Sequence, residues 1–110
     1  MKFISIILIT FMIFGCTQQL DKESPEINVV KSKKKFYINL PENHQTGYMW
    51  QLSNSYDTKK LNYITSVFHG NDKGVYFYFE GINKGKTTLD FTLIKYRDTS
   101  ETKSFIIEIN

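Results

Sequence analysis

The chain has 110 residues and a formal net charge of +3, with 14 Lys and Arg against 11 Asp and Glu. A charge balance this mild gives no basis for nucleic acid binding, which requires a concentrated basic surface. The single Cys excludes a disulfide within one chain, and the sequence shows no cluster of His, Cys and carboxylates at metal-ligand spacing. We therefore predict no metal and no cofactor.

Residues 1–15 predict an export signal. Lys2 supplies a basic start, and Phe3 to Phe14 form an uncharged run that is shorter than the ~20 apolar residues needed to span a bilayer. The run ends in Gly15-Cys16, which resembles a bacterial lipobox, where a small residue precedes the acylated Cys. The alternative is an ordinary secretory signal with an incidental Cys.

If Cys16 carries lipid, acyl chains such as palmitate anchor the protein to a membrane of the bacterial cell envelope. Thr17 follows the Cys, where an Asp retains lipoproteins at the inner membrane of some bacteria. This difference favours the outer membrane or the cell surface. The Cys is then unavailable as a catalytic nucleophile.

After the signal, the chain divides into a tether and one domain. Residues 16–26 hold the lipidated Cys and a polar stretch without apolar periodicity, which predicts a flexible tether. Residues 27–110 carry a folding pattern and are numerous enough to bury one core without disulfides. The domain begins with a basic cluster that we interpret as a solvated turn between two strands, with a contact to anionic lipid headgroups or an acidic partner as the alternative. The cluster consists of Lys31, Lys33, Lys34 and Lys35.

Apolar residues in the domain alternate with period two, and Ala is absent from the chain, which predicts strands. The inward-facing sets are Phe36, Ile38 and Leu40; Val75, Phe77 and Phe79; Leu89, Phe91 and Leu93; and Phe105, Ile107 and Ile109. About seven to eight such strands with one apolar face each predict an all-β sandwich of two packed sheets. The stretch from Leu61 to Phe68 also suits a short helix, so both interpretations stay open there.

Between two predicted strands lies the motif Asn43-His44-Gln45-Thr46-Gly47-Tyr48-Met49-Trp50. It resembles the chagasin family, small β-sandwich inhibitors of papain-type cysteine proteases. That family carries an Asn-Pro-Thr-Thr-Gly-Tyr loop followed, one residue on, by Trp or Phe. His44 and Gln45 replace the Pro and the first Thr, and the other family positions match in register. The resemblance extends from about Phe36 to Ile109.

The resemblance implies an immunoglobulin-like sandwich whose three loops enter the protease cleft as a wedge. The first loop comprises Asn43, His44, Gln45, Thr46, Gly47 and Tyr48. We expect Gly47 to adopt positive φ, Asn43 to bond the loop's own backbone, and the Thr46 hydroxyl to bond into the protease site. We also expect Tyr48 and Trp50 to root this loop in the core. The alternative is an ordinary hairpin turn with a structural Tyr and Trp.

The second and third loops match the family less closely. The second is Gly70-Asn71-Asp72-Lys73-Gly74, which keeps a glycine at each end, with a simple turn as the alternative. The third is Lys95-Tyr96-Arg97, where the family has Arg-Pro-Trp. The loss of the indole removes apolar area that is valuable at the centre of an interface. We expect weaker binding or a changed choice of target.

The sequence does not predict an enzyme. His44 and His69 lie in separate turns without a neighbouring nucleophile, and the acidic residues fall on predicted exposed faces and loops. The leading hypothesis is a monomeric, reversible, competitive inhibitor of a papain-type cysteine protease. The alternative is a structural or assembly lipoprotein whose immunoglobulin-like module binds another envelope protein. A third and weaker option is a sandwich that binds a peptide or small ligand at an exposed edge.

Overall fold

A computed structural model describes residues 17–110. Its elements are β1 (Gln18–Gln19), β2 (Ile27–Val30), β3 (Lys35–Leu40), β4 (Met49–Leu52), β5 (Leu61–Phe68), β6 (Val75–Gly81), β7 (Gly85–Lys95) and β8 (Asp98–Ile109), with a short 3-10 turn at His44–Thr46. The predicted all-β class is confirmed. The ambiguous stretch is the strand β5, with a bulge between Tyr63 and Thr65.

The strands form two four-stranded sheets. The first has the order β1-β3-β6-β5 and the second the order β2-β8-β7-β4. The β1–β3 and β2–β8 pairs are parallel, and the other neighbours are antiparallel. This arrangement confirms the predicted β-sandwich.

The core lies between the sheets and contains the side chains that the alternation predicted to face inward. Phe36 stacks on Phe79 within the first sheet, with 5.3 Å between ring centroids. Phe77 of the first sheet meets Phe91 of the second at 4.9 Å. All the predicted inward-facing residues are buried except Leu93, which is partly buried against the core.

Residues 18–26, predicted to belong to a flexible tether, pack on the sandwich instead. Gln18 and Gln19 pair with β3, and Leu20 is only 3% exposed within the core. The Asn28 side chain bonds both the N–H and the C=O of Lys22, at 3.1 and 2.7 Å. The stretch is mostly polar, which is why the sequence predicted a tether. It nevertheless contains Leu20, which packs in the core, and the short strand β1, which pairs with the edge of β3.

The predicted signal at 1–15 and the predicted lipidation of Cys16 lie outside the described residues. Within residues 17–110, no helix has the length and apolar character to cross a membrane.

The strands give the sandwich two distinct ends. At one end lie the connections β3–β4, β5–β6 and β7–β8, and at the other lie β2–β3 and β6–β7. The register shows this directly: Leu40 pairs with Val75 at the first end, and Lys35 pairs with Glu80 at the second. We call the first of these the loop end.

Candidate functional site

The structure brings the three predicted loops together at the loop end. We call residues 41–48 loop 1, 69–74 loop 2 and 95–98 loop 3. The His44 N–H donates to Asn71 Oδ1 at 3.0 Å, which joins loops 1 and 2. The Tyr48 hydroxyl donates to Asp98 Oδ2 at 2.5 Å, which joins loops 1 and 3. The predicted site residues thus form one continuous surface, while their contact with a protease stays a prediction.

Loop 1 is held in shape by its own short side chains. Asn43 Oδ1 accepts the Gln45 N–H at 2.9 Å, as expected for a residue that caps a helical turn. Gly47 ends the turn at φ +83°, in the left-handed region that glycine occupies at low cost. The expected roles of Asn43 and Gly47 are therefore confirmed.

Thr46 stabilises loop 1 through its hydroxyl group. Its hydroxyl donates to the Asn43 carbonyl at 2.8 Å and accepts the Tyr48 N–H at 3.2 Å. The hydroxyl therefore orders loop 1 in the unbound domain, and the expected bond of Thr46 into a protease site stays a prediction.

Glu42 and His44 form a pair that the sequence did not predict. Glu42 is 5% exposed, its Oε1 accepts the Trp50 N–H at 2.7 Å, and its Oε2 lies 2.7 Å from His44 Nε2. The His44 ring also stacks on Phe68, with 3.6 Å between centroids and 12° between planes. The prediction that the acidic residues are exposed is wrong for Glu42, and the only sequence signal of the pair was the spacing of two residues between Glu42 and His44.

Trp50 and Tyr48 take separate roles. Trp50 is buried, and its indole N–H donates to the Pro41 carbonyl at 2.7 Å, so it roots loop 1 as expected. Tyr48 is half-exposed and turns towards loop 3, where Lys95 Nζ lies 5.9 Å from its ring centroid. Its hydrogen bond to Asp98 raises the pKa of the Tyr48 phenol. The expectation that Tyr48 roots the loop in the core is therefore wrong.

Loop 2 closes on itself and on β3. The His69 N–H donates to the Gly74 carbonyl at 2.8 Å, and Asn39 Nδ2 donates to the Lys73 carbonyl at 2.9 Å. Gly74 has φ +80°, and a Cβ there would lie 2.2 Å from the Leu40 carbonyl oxygen. Only glycine fits at that position.

Loop 3 is a tight turn with exposed side chains. Lys95 pairs with Asp98, so Tyr96 and Arg97 alone make the turn. Tyr96 has φ +56° and is 92% exposed. These two residues line an open groove beside Tyr48. A large aromatic side chain and a guanidinium are thus presented to solvent next to loop 1.

Within residues 17–110, no group of three or more His, Cys, Asp or Glu residues is arranged to hold a metal ion. The site consists of backbone turns, glycines and exposed side chains. It is suited to binding a surface by contact.

The sequence matches the family model "Chagasin family peptidase inhibitor I42" over residues 29–109. A comparison with curated proteins finds no match. Among solved structures, the fold is similar to that of the cysteine protease inhibitor EhICP2 from Entamoeba histolytica, with a TM-score of 0.71 and 16% identity over 86% of this chain and 95% of that one. It is also similar to amebosin, with a TM-score of 0.53 and 14% identity over 86% and 94% of the two chains. At these identities the two structures support the fold.

Proposed function

Because this chain belongs to the chagasin family of peptidase inhibitors, we propose that it inhibits papain-type cysteine proteases by wedging its three loops into their active-site cleft. The observation that carries the proposal is the joining of loop 1 to both other loops, through His44 with Asn71 and Tyr48 with Asp98. Membership of a family of inhibitors also agrees with the prediction that the chain is not an enzyme. Family membership does not favour the alternative of an assembly lipoprotein.

The order within loop 1 suits an inhibitor that is bound without being cleaved. A loop already held by Asn43 and Thr46 loses less conformational entropy on binding than a free peptide does. Cleavage requires an extended substrate backbone, and the 3-10 turn at His44–Thr46 holds the chain away from that shape. The proposed mechanism is therefore steric exclusion of substrate, with no chemistry supplied by the inhibitor.

Each loop contributes a different kind of contact in this proposal. Gly47, without a side chain, allows the tip of loop 1 to approach the catalytic thiolate and imidazolium closely. Tyr96 and Arg97 are residue types that often anchor interfaces, and both are exposed. Tyr96 covers less apolar area than the family's Trp, so we expect a weaker or more selective inhibitor.

The test uses residues 17–110, titrated into papain and a cathepsin-type protease with a fluorogenic substrate. We expect competitive inhibition, with the inhibitor intact by mass spectrometry after prolonged incubation. Absence of inhibition at micromolar concentration by a domain shown to be folded by circular dichroism would contradict the proposal.

We also propose that Cys16 is lipidated and anchors the inhibitor to the bacterial envelope, at the outer membrane or cell surface. The proposal rests on the apolar run before Gly15-Cys16 in the sequence. Labelled palmitate is expected to be incorporated into the full chain and lost in Cys16→Ser. Equal labelling of the two chains would contradict it.

A further inference from the structure

The end of the sandwich opposite the loops is a continuous surface made by three segments. These are the β2–β3 turn at 31–34, the β6–β7 turn at 82–84, and residues 57–60. Ser32 Oγ donates to the Ile82 carbonyl at 2.6 Å. The Ile82 N–H donates to the Lys60 carbonyl at 2.8 Å, and Asn83 Nδ2 donates to the Lys59 carbonyl at 2.7 Å. We call this surface, with the strand ends beside it, the basic end.

Positive charge concentrates at the basic end. It carries Lys31, Lys33, Lys34, Lys35, Lys59, Lys60, Lys84 and Lys86, against the acidic side chains of Asp57, Glu80 and Glu108. Lys60 pairs with Asp57 at 2.7 Å and Lys86 with Glu108 at 3.7 Å. Within residues 17–110, the other six lysines form no salt bridge. The excess at this end is greater than the net charge of the whole chain, which is +3.

The chain also enters the domain at the basic end. Because β1 runs parallel to β3 and Gln18 pairs with Phe36, the residues before Gln18 join the sandwich beside the β2–β3 turn. Gln18, Lys31 and Lys34 line the same hollow. Cys16, the proposed lipidation site, lies two positions before Gln18 in the sequence, so a lipid on it would be attached next to the lysines. Ile82, 39% exposed, adds an apolar side chain to the same surface.

We propose that the basic end binds the anionic lipid headgroups of a membrane and so directs the loop end away from it. Lysines attract anionic headgroups, and the lipid proposed on Cys16 would hold the same end of the domain near the bilayer. The 11-residue strand β7 runs from Gly85 at the basic end to Lys95 at the loop end. At about 3.3 Å per residue, the loops would stand about 35 Å from the headgroups. The inference rests on charge and geometry and does not require that the protein be an inhibitor.

The first test uses residues 17–110, which contain all eight strands and the core described above, so that membrane binding through the proposed lipid on Cys16 does not mask binding through the basic end. Cosedimentation is measured at low salt with vesicles of phosphatidylcholine alone and with added phosphatidylglycerol. We expect binding only to the anionic vesicles, weakening as salt shortens the Debye length. Equal binding to both vesicles, or to neither, would overturn the proposal.

Two triple variants with the same change in net charge locate the surface. Lys31→Gln/Lys34→Gln/Lys84→Gln removes charge at the basic end, and Lys73→Gln/Lys95→Gln/Arg97→Gln removes it at the loop end. At about fivefold per lysine, the first is expected to lower the partition coefficient on the order of 100-fold. The second is expected to change it little. Equal losses in the two variants would show an effect of net charge alone and overturn the proposal.

Two further readouts separate this proposal from its competitors. If the domain binds a soluble acidic polypeptide such as poly-glutamate but not the anionic vesicles, the surface serves an acidic protein and the membrane proposal fails. The basic-end variant is expected to inhibit papain as the parent does. If the parent itself does not inhibit papain, the proposed function fails, while binding to anionic vesicles still supports the membrane proposal.

Orientation is tested with the full chain reconstituted in the same vesicles. Trp50, the single Trp of the chain, lies at the loop end through its bond to Pro41. Its fluorescence is expected to resist quenching by brominated lipid. Strong quenching would place the loop end in the bilayer and overturn the orientation.

Discussion

His44 Nε2 lies 2.7 Å from Oε2 of Glu42, a carboxylate whose side chain is only 3% exposed. The pair connects loop 1 to both sheets. Through its other oxygen, Glu42 accepts the Trp50 N–H of β4, and through its ring His44 stacks on Phe68 of β5. Among the strands of residues 17–110, β4 pairs only with β7, so Glu42 supplies the acceptor that a further strand would otherwise provide.

Glu42→Ala is expected to lower the free energy of unfolding by about 1–3 kcal/mol, because it leaves the buried Trp50 N–H without its acceptor. Urea denaturation followed by Trp50 fluorescence measures the change. Glu42→Gln retains an acceptor and is expected to lose less. Glu26→Ala, at an exposed position, is the matched control and is expected to stay within about 0.5 kcal/mol. Similar values for the two alanine variants would contradict the structural role of Glu42.

Gly74→Ala is expected to destabilise the domain by at least about 2 kcal/mol, since it combines a left-handed φ with a backbone clash. Its Cβ would lie 2.2 Å from the Leu40 carbonyl oxygen. Gly70→Ala is the control at the other end of loop 2, where φ is also positive but the Cβ would meet only the Asp72 side chain, at 3.1 Å. Thermal unfolding of the two variants is compared. A Gly70→Ala domain as unstable as Gly74→Ala would contradict the steric argument.

Gly47→Trp is expected to abolish inhibition, with a rise in the inhibition constant of at least about 100-fold, because the bulky side chain prevents close approach of the loop 1 tip. The left-handed φ of +83° is expected to cost about 1–2 kcal/mol. The domain is expected to remain folded, since the nearest atoms to a Cβ at Gly47 belong to the flexible Lys95 side chain, at 3.1 Å. Gly47→Ala is the control, because it has the same left-handed φ and the same Lys95 neighbour but adds only a methyl group, and it is expected to lose much less potency. A folded Gly47→Trp variant of full potency would rule out the wedge mechanism.

Thr46→Ala is expected to weaken inhibition about fivefold, the equivalent of about 1 kcal/mol. It removes both the bond to the Asn43 carbonyl and the acceptor of the Tyr48 N–H, so loop 1 must be ordered on binding. Thr46→Ser keeps the hydroxyl and is expected to restore most of the potency. Inhibition constants of both variants are measured against papain. If Thr46→Ser fails to restore the potency, the methyl group of Thr46 and not its hydroxyl is responsible for the effect.

Tyr48→Phe removes the hydrogen bond that joins loops 1 and 3 and is expected to weaken inhibition roughly 3- to 10-fold. Asp98→Asn changes the partner, and a double variant shows whether the two effects are coupled. Additive losses would mean that the bond does not link the loops.

The same bond predicts a dependence on pH. Because Asp98 raises the pKa of Tyr48 above its ordinary value of 10.0, the contribution of the bond to stability is complete below pH 10.0 and is lost as pH rises through the raised value. The difference in stability between the parent and Tyr48→Phe is therefore expected to be constant at neutral pH and to vanish in strong alkali. The ultraviolet absorbance titration of the parent minus that of Tyr48→Phe isolates Tyr48 from the other tyrosines of the chain. The same difference measured in the Asp98→Asn background is expected to show a lower pKa for Tyr48.

The sequence alone determined the all-β class and most of the core, because period-two alternation is a local property of each strand. Phe36, Ile38 and Leu40 face inward as the pattern predicts. The Asn43 cap and the positive φ of Gly47 were also predictable, since they depend on residues within the same turn.

Only the tertiary structure decided the relationships between distant segments. Leu20 enters the core because β1 lies along β3. Tyr48 turns to Asp98, 50 positions further along the chain, and His44 stacks on Phe68. Hydrophobic alternation predicts which face of a strand is buried, but it does not predict which turns meet at the same end of the sandwich. The register and packing of the two sheets bring those turns together, and that is where the candidate site is formed.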